Sequence, residues 1–181
     1  MRHSTLDLPT YDTVAQFEGK GNWAVSKYYR FPYRFFYRHK IKMIMDMFGE
    51  DVYTHLLDYG CGPQILKKTL KNHSLYYKGY DIGDVFDPRW RFDVVVLASV
   101  LEFVNVEFIL HQVKSVLRKG GFIVVSSPMD TWISRQYFKL IGDQHIRNSH
   151  ERIISGISKI FKIEKVNKWM GLYFSVKACN D

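Results

Sequence analysis

Asp58, Gly60 and Gly62 stand together where the apolar pair Leu56-Leu57 hands over to a short helical pattern. Glycines at such a junction let backbone approach a ligand closely, and the amides at a helix start face an anion. About twenty residues on, the spacing of a nucleotide-binding carboxylate, Asp81 closes the next strand-like run. In an open α/β sheet both features fall on the edge where ligands bind, and a carboxylate there can accept the two hydroxyls of a ribose. Together they form the pattern of an adenosine-containing cofactor site. Gly60 and Gly62 also suit a tight turn without a ligand. Asp81 is harder to read as filler, because an unpaired carboxylate at a buried strand end is costly. The dinucleotide pattern Gly-x-Gly-x-x-Gly needs glycine at position 65, where the chain has Ile65, so a nicotinamide or flavin is disfavoured.

These groups need a scaffold to position them. Residues 53–59, 75–82, 92–98 and 122–127 read as buried strands, and the continuous Val94-Val95-Val96-Leu97 suits a parallel strand covered on both faces. A short helix after Gly62-Pro63 would turn Ile65, Leu66 and Leu70 inward and Lys67, Lys68 and Lys71 outward. Val106, Ile109, Leu110, Val113, Val116 and Leu117 keep helical spacing up to Gly120-Gly121, where the chain is expected to stop or turn. A weak helix over 132–141 precedes a stronger one over 150–160, for which Asn148 with Glu151 three later resembles a capping box. Residues 162–169 and 172–179 read as two strands joined at Met170-Gly171. Such alternation predicts an α/β fold with a mostly parallel sheet. Upstream, Pro32 can open a helix to about Phe48 with one apolar and one basic face. Residues 1–50 read as a helical, aromatic extension, a lid or cap on the domain formed by residues 51–181.

Composition sets the outer bounds. A chain of 181 residues with 46% hydrophobic side chains can bury one substantial core but not two full-sized ones. Its formal charge of +8 is concentrated upstream. Lys20, Lys27, Arg30, Arg34, Arg38, Lys40 and Lys42 fall within residues 19–45, which hold no Asp or Glu. Cys61 and Cys179 have no paired spacing, arguing against a disulfide framework and a cysteine-ligated zinc, and a cytoplasmic location is expected. The longest strongly apolar run, 94–106, is interrupted by Glu102 and Asn105, so no membrane span is expected.

The segment Leu56-Leu57-Asp58-Tyr59-Gly60-Cys61-Gly62 resembles the first motif of class I S-adenosylmethionine-dependent methyltransferases. The likeness continues in order through Asp81, Phe92-Asp93-Val94-Val95, Leu101-Glu102-Phe103-Val104 and Leu117-Arg118-Lys119-Gly120-Gly121-Phe122. It implies a three-layer Rossmann-like sandwich of about six strands, the last antiparallel, with S-adenosylmethionine as cofactor. Gly60 and Gly62 would pass along its methionine part and Asp58 would hold the amino group. Asp81 would bind the ribose hydroxyls and Ile82 would lie against the adenine. Main chain at Ala98 and Ser99 would border the methionine or sulfonium. His145, before the final helix, is the candidate general base, with a surface or capping histidine as the alternative; His150 is a weaker candidate.

The chain departs from the pattern at three places. Gln64 stands where many members have a third loop glycine, and Phe103 replaces a common histidine. Asp81 and Asp93 are only 12 positions apart, so the usual outermost strand and its helix are expected to be missing. Lys78 could blunt the new sheet edge. Asp84 is the nearest substitute for the carboxylate that recognises the adenine amino group, or else a solvated turn residue. The sequence Ala98-Ser99-Val100-Leu101 lacks the Asn-Pro-Pro-Tyr signature, which disfavours methylation of exocyclic base amines. A small-molecule acceptor is expected. The basic segment 19–45 keeps a nucleic-acid or protein acceptor open, as the three departures keep open a noncatalytic cofactor-binding protein.

Overall fold

A computed structural model of the chain describes residues 33–49, 51–62, 64, 66–81, 83–141 and 148–181. Six strands, β1 (Tyr53–Tyr59), β2 (Ser74–Tyr80), β3 (Phe92–Ala98), β4 (Leu117–Pro128), β5 (Lys162–Trp169) and β6 (Tyr173–Cys179), form one sheet in the order β2-β1-β3-β4-β6-β5. The first four strands are parallel, and β6 runs antiparallel to both of its neighbours. This is the mixed sheet expected from the sequence, and β2 is its edge, as the short Asp81–Asp93 interval required.

Helices cover both faces. Helix α1 (Tyr33–Met45) and the single turn α2 (Lys67–Leu70) lie on one face. There Tyr37, Ile41, Ile44, Leu66 and Leu70 bury Leu56, Val94, Val96, Phe122 and Val124. On the other, α3 (Val106–Val116) and α5 (His150–Ile160) bury Leu57, Val95, Leu97, Ile123, Val125, Phe174 and Val176. Val94 to Leu97 are wholly buried, so the apolar run reports a strand sandwiched between helical layers. Helix α4 (Trp132–Ile141) adds Phe138 to a smaller cluster with Met43, Leu172 and Tyr173. No described helix is long and apolar enough to cross a membrane.

Several local expectations are corrected. Helix α1 ends at Met45 and not near Phe48; Met47 and Phe48 donate three residues back to Ile44 and Met45, a tightened last turn. Strand β4 begins at Leu117 and passes through Gly120-Gly121. The glycines extend the sheet because Gly120 donates to the Asn180 carbonyl and Asn180 to that of Gly121, and the register shifts between the Phe92–Leu117 and Val94–Phe122 pairs. The cap of α5 is Ser149, whose hydroxyl accepts from the Arg152 amide; Asn148 instead donates its amide to the Leu101 and Val104 carbonyls, both at 2.7 Å. Residues 83–91 replace the missing edge elements with an aromatic plug. Tyr59, Tyr80, Phe86, Trp90 and Phe92 pack in succession with ring centroids 4.8–6.1 Å apart. The Lys78 ammonium lies 4.3 Å from the centre of the Trp90 ring, packed on this plug.

Candidate functional site

The carboxyl ends of β1, β2 and β3 bring most of the expected site residues to one edge, at the point where the strand order reverses. Asp58 is the penultimate residue of β1 and is 2% exposed. Its carboxylate accepts from the Tyr77 hydroxyl of β2 at 2.8 Å. Burial pushes its pKa up to about 7; the Tyr77 hydrogen bond opposes the shift, and the nearby negative charge of Asp81 adds to it. A carboxylate this deep calls for a cationic partner.

Beyond Tyr59 the chain folds back over the end of β2, because the Gly60 and Cys61 amides both donate to the Tyr80 carbonyl. Gly60 has φ +73° and Gly62 φ +47°, left-handed values that favour glycine. A Cβ on Gly60 would sit 2.4 Å from a Val100 methyl carbon, so this loop lies against the segment that follows β3. A Cβ on Gly62 would meet nothing within 4 Å among the described residues. Gln64 also has a positive φ, +54°, so it keeps the glycine-type backbone although its side chain does not suit it. That side chain lies over Gly79, where a Cβ would crowd Cys61 Sγ and Gln64 Nε2. Burial pushes the Cys61 thiol up to about 12, with Asp58 and Asp81 adding to the effect, so it is not a thiolate at neutral pH.

Asp81 follows β2 on the same edge, one residue past the strand. Asp84 turns back, its carboxylate accepting from the Asp81 amide at 2.9 Å while its own amide donates to the Asp81 carbonyl. It thereby fixes the turn that presents Asp81, the turn role the sequence left open. Ala98 ends β3, and Ser99 follows with φ +58°, its amide held by the Ser126 carbonyl at 2.7 Å. Such strain in a non-glycine residue collects at functional sites. Ile82 and His145 lie outside the described residues.

Sequence reasoning missed one participant. Lys40, assigned to the basic side of α1, is 8% exposed and donates to the Ser99 hydroxyl. The signal was present, since Tyr37, Lys40, Ile41 and Ile44 follow one helical stripe and the other three are core residues. Beside Lys40 lies Glu102, 1% exposed, which accepts from the Ser127 hydroxyl at 2.7 Å. Burial raises the Glu102 pKa, against the opposing charge of Lys40. A buried cation and a buried carboxylate thus adjoin the end of β3.

The arrangement can hold an adenosine cofactor bearing an amino acid: a carboxylate for its ammonium, an open glycine loop for close approach, and an acidic strand end for its ribose. The family of proteins described as a methyltransferase domain matches residues 27–170. No curated protein matches the chain. Among solved structures, the N-methyltransferase NodS from Bradyrhizobium japonicum WM9, in complex with S-adenosyl-L-homocysteine, superposes with a TM-score of 0.66 at 14% identity, over 94% of this chain and 97% of that one. A putative S-adenosylmethionine-dependent methyltransferase from Listeria monocytogenes gives 0.60 at 15% identity, over 80% and 99%. Geranyl diphosphate C-methyltransferase from Streptomyces coelicolor A3(2) gives 0.54 at 10% identity, over 80% and 77%. At these identities the likeness is one of fold.

Proposed function

The chain belongs to the methyltransferase domain family, and from that premise we propose that it binds S-adenosylmethionine at the ends of β1–β3 and transfers the methyl group to a small-molecule acceptor. The observation that carries the proposal is Asp58, a buried carboxylate whose side-chain hydrogen-bond partner among the described residues is a neutral phenol, followed by a glycine loop in which a Cβ on Gly62 would meet none of the described residues within 4 Å. These residues fit the cofactor. When bound, it supplies an electrophilic methyl carbon on a positively charged sulfur.

Asp58 holds the ammonium, and the gain of that charge partner draws its carboxyl into the ionised form. Asp81, presented by the Asp84 turn, accepts the ribose hydroxyls. Gly60 and Gly62, with φ +73° and +47°, would keep side chains away from the methionine part, and the Ser99 main chain, with φ +58°, would border the sulfonium. The bound cofactor would supply this methyl carbon for in-line displacement by the acceptor, with the thioether sulfur as leaving group. Holding the reacting atoms about 3 Å apart in line supplies much of the acceleration. An acceptor that must lose a proton passes it to His145 or to water.

Purified protein should bind S-adenosylhomocysteine by calorimetry and gain thermal stability with it. Neither heat nor a shift would sink the reading. Binding without transfer across a broad acceptor panel would instead favour a noncatalytic role. A polyanionic acceptor has one supporting observation, the exposed stripe of Arg34, Arg38 and Lys42 along α1. It predicts salt-dependent RNA binding that weakens when Arg34 and Arg38 become alanine.

A further inference from the structure

We propose that an apolar surface beside the ligand edge, built from the first turns of α1 and α4 and the β5–β6 turn, docks on an anionic lipid membrane. The sheet register sets its place. Tyr173 is opposite both Pro128, the last residue of β4, and Trp169, the last of β5, so the Met170-Gly171 turn stands at the end of the sheet where β4 finishes. Helix α1 starts at the same end. Phe36, in its first turn, packs on Trp169 with ring centroids 5.7 Å apart, while Phe48, beyond its other end, packs on Tyr53 at the start of β1. Helix α4 begins shortly after β4 ends.

Four side chains at this end form one surface. Phe35 lies 6.1 Å from Trp169, which Met170 follows. A Cβ on Gly171 would meet Ile133 Cδ1 at 3.8 Å, and Trp132 is the residue before. Phe36, Tyr137 and Trp169 supply a half-buried layer beneath, with the Phe36 and Tyr137 rings 4.7 Å apart. Phe35, Trp132, Ile133 and Met170 are each 50–73% exposed. A contiguous apolar surface of this kind marks contact with a membrane or another macromolecule.

Charge selects the membrane. Within their bounds neither α1 nor α4 contains Asp or Glu, and their exposed residues include Arg34, Arg38, Lys42 and Lys139. Asp130, just before α4, is paired with Arg135 at 2.8 Å. Phe35 and Trp132 thus stand among cations, as in interfacial helices whose apolar side chains enter the headgroup boundary while basic neighbours meet anionic lipid. Each basic residue near such a surface strengthens partitioning about fivefold. A second copy would instead set the two basic stripes against each other, on chains of formal charge +8. RNA would stack on the aromatic rings, but Ile133 and Met170 offer a base no ring face. The surface stands without the cofactor reading; on that reading, docking turns the cofactor edge towards the bilayer.

The test uses the full chain and vesicles of phosphatidylcholine, alone or mixed with phosphatidylglycerol, some with brominated acyl chains that quench tryptophan on contact. Wild type should bind the mixed vesicles about tenfold or more tightly than phosphatidylcholine alone, and high salt should weaken that binding. Combining Phe35→Ser, Trp132→Ser and Met170→Asn should weaken it about tenfold or more and leave S-adenosylhomocysteine affinity within about twofold. All three side chains are exposed, and asparagine suits φ +48° at position 170, so the fold should persist. Brominated chains should quench the wild type, and Trp132→Phe should remove most of that quenching.

Absence of vesicle binding overturns the proposal, as does binding that the triple variant retains in full. Binding without quenching shows adsorption through another face and overturns it too. Retention on polyuridylic acid but not on vesicles gives the surface to RNA. Self-association that the triple variant abolishes, again without vesicle binding, gives it to a second copy; either result overturns the membrane. A wild type that binds vesicles as expected but not S-adenosylhomocysteine supports the surface and overturns the cofactor reading alone.

Discussion

Replacing Asp58 with asparagine keeps the shape of the side chain and removes its charge. In the ligand-free protein the carboxyl titrates near 7, against 3.8 for an ordinary aspartate. At about 1.36 kcal/mol for each tenfold change, keeping Asp58 ionised in the fold costs about 4 kcal/mol. The sign follows from proton counting. Between pH 4 and pH 7 the native state keeps a proton that the unfolded chain has lost, so wild-type stability falls as pH rises through that window. Below pH 4 both states are protonated and the cost vanishes; above pH 7 it is complete. Urea unfolding of Asp58→Asn against wild type should show a stability gap that is near zero at pH 4 and opens to about 4 kcal/mol at pH 8. The same variant should bind S-adenosylhomocysteine about 100-fold more weakly, since it offers the ammonium no opposing charge. Wild-type binding near pH 6 should release a proton, and variant binding should not. A gap that does not change with pH, or undiminished affinity in the variant, would refute the assignment of Asp58.

Other perturbations probe the loop and its supports. Gly60→Ala should lose about 2–4 kcal/mol in chemical denaturation, because it combines a left-handed φ with a 2.4 Å approach to Val100; adding Val100→Ala should recover only the steric part. Gln64→Gly should raise the unfolding free energy by about 1 kcal/mol, since it relieves φ +54° and removes a buried amide oxygen with no partner among the described residues; an unchanged urea midpoint would count against strain at that position. Asn148→Ala should cost about 2–3 kcal/mol in thermal or urea unfolding by freeing the Leu101 and Val104 carbonyls, while the backbone amide of residue 148 keeps its 3.2 Å bond to the Glu102 carbonyl.

What the sequence disclosed follows from how local each signal was. Strands β1 and β3 and helices α4 and α5 were bounded correctly because buried apolar runs and helical spacing are properties of a few neighbouring residues. Loss of the edge strand was legible because 12 residues cannot hold a helix and a strand. The start of β4 was not, since Gly120-Gly121 becomes strand only through Asn180, far along the chain. Likewise Asn148 and Ser149 are equally good caps until the turn at 101–104 claims the asparagine. Lys40 was hidden by its charge: its position on the helix marked it as buried, but only the fold supplies the Ser99 and Glu102 partners that make burial tolerable. The strain at Ser99 and Gln64 has no sequence signature, because neither residue type announces a left-handed backbone.

The aromatic plug at the sheet edge makes the protein its own optical sensor. Trp90 packs on Tyr80, whose carbonyl receives both amides of the glycine loop, and it carries the Lys78 ammonium over its face. An indole excited state responds to nearby charge, so rearrangement of the loop around a ligand would be written into its emission. Occupancy of the site could then be followed in real time without a label, with Trp90→Phe as the blank.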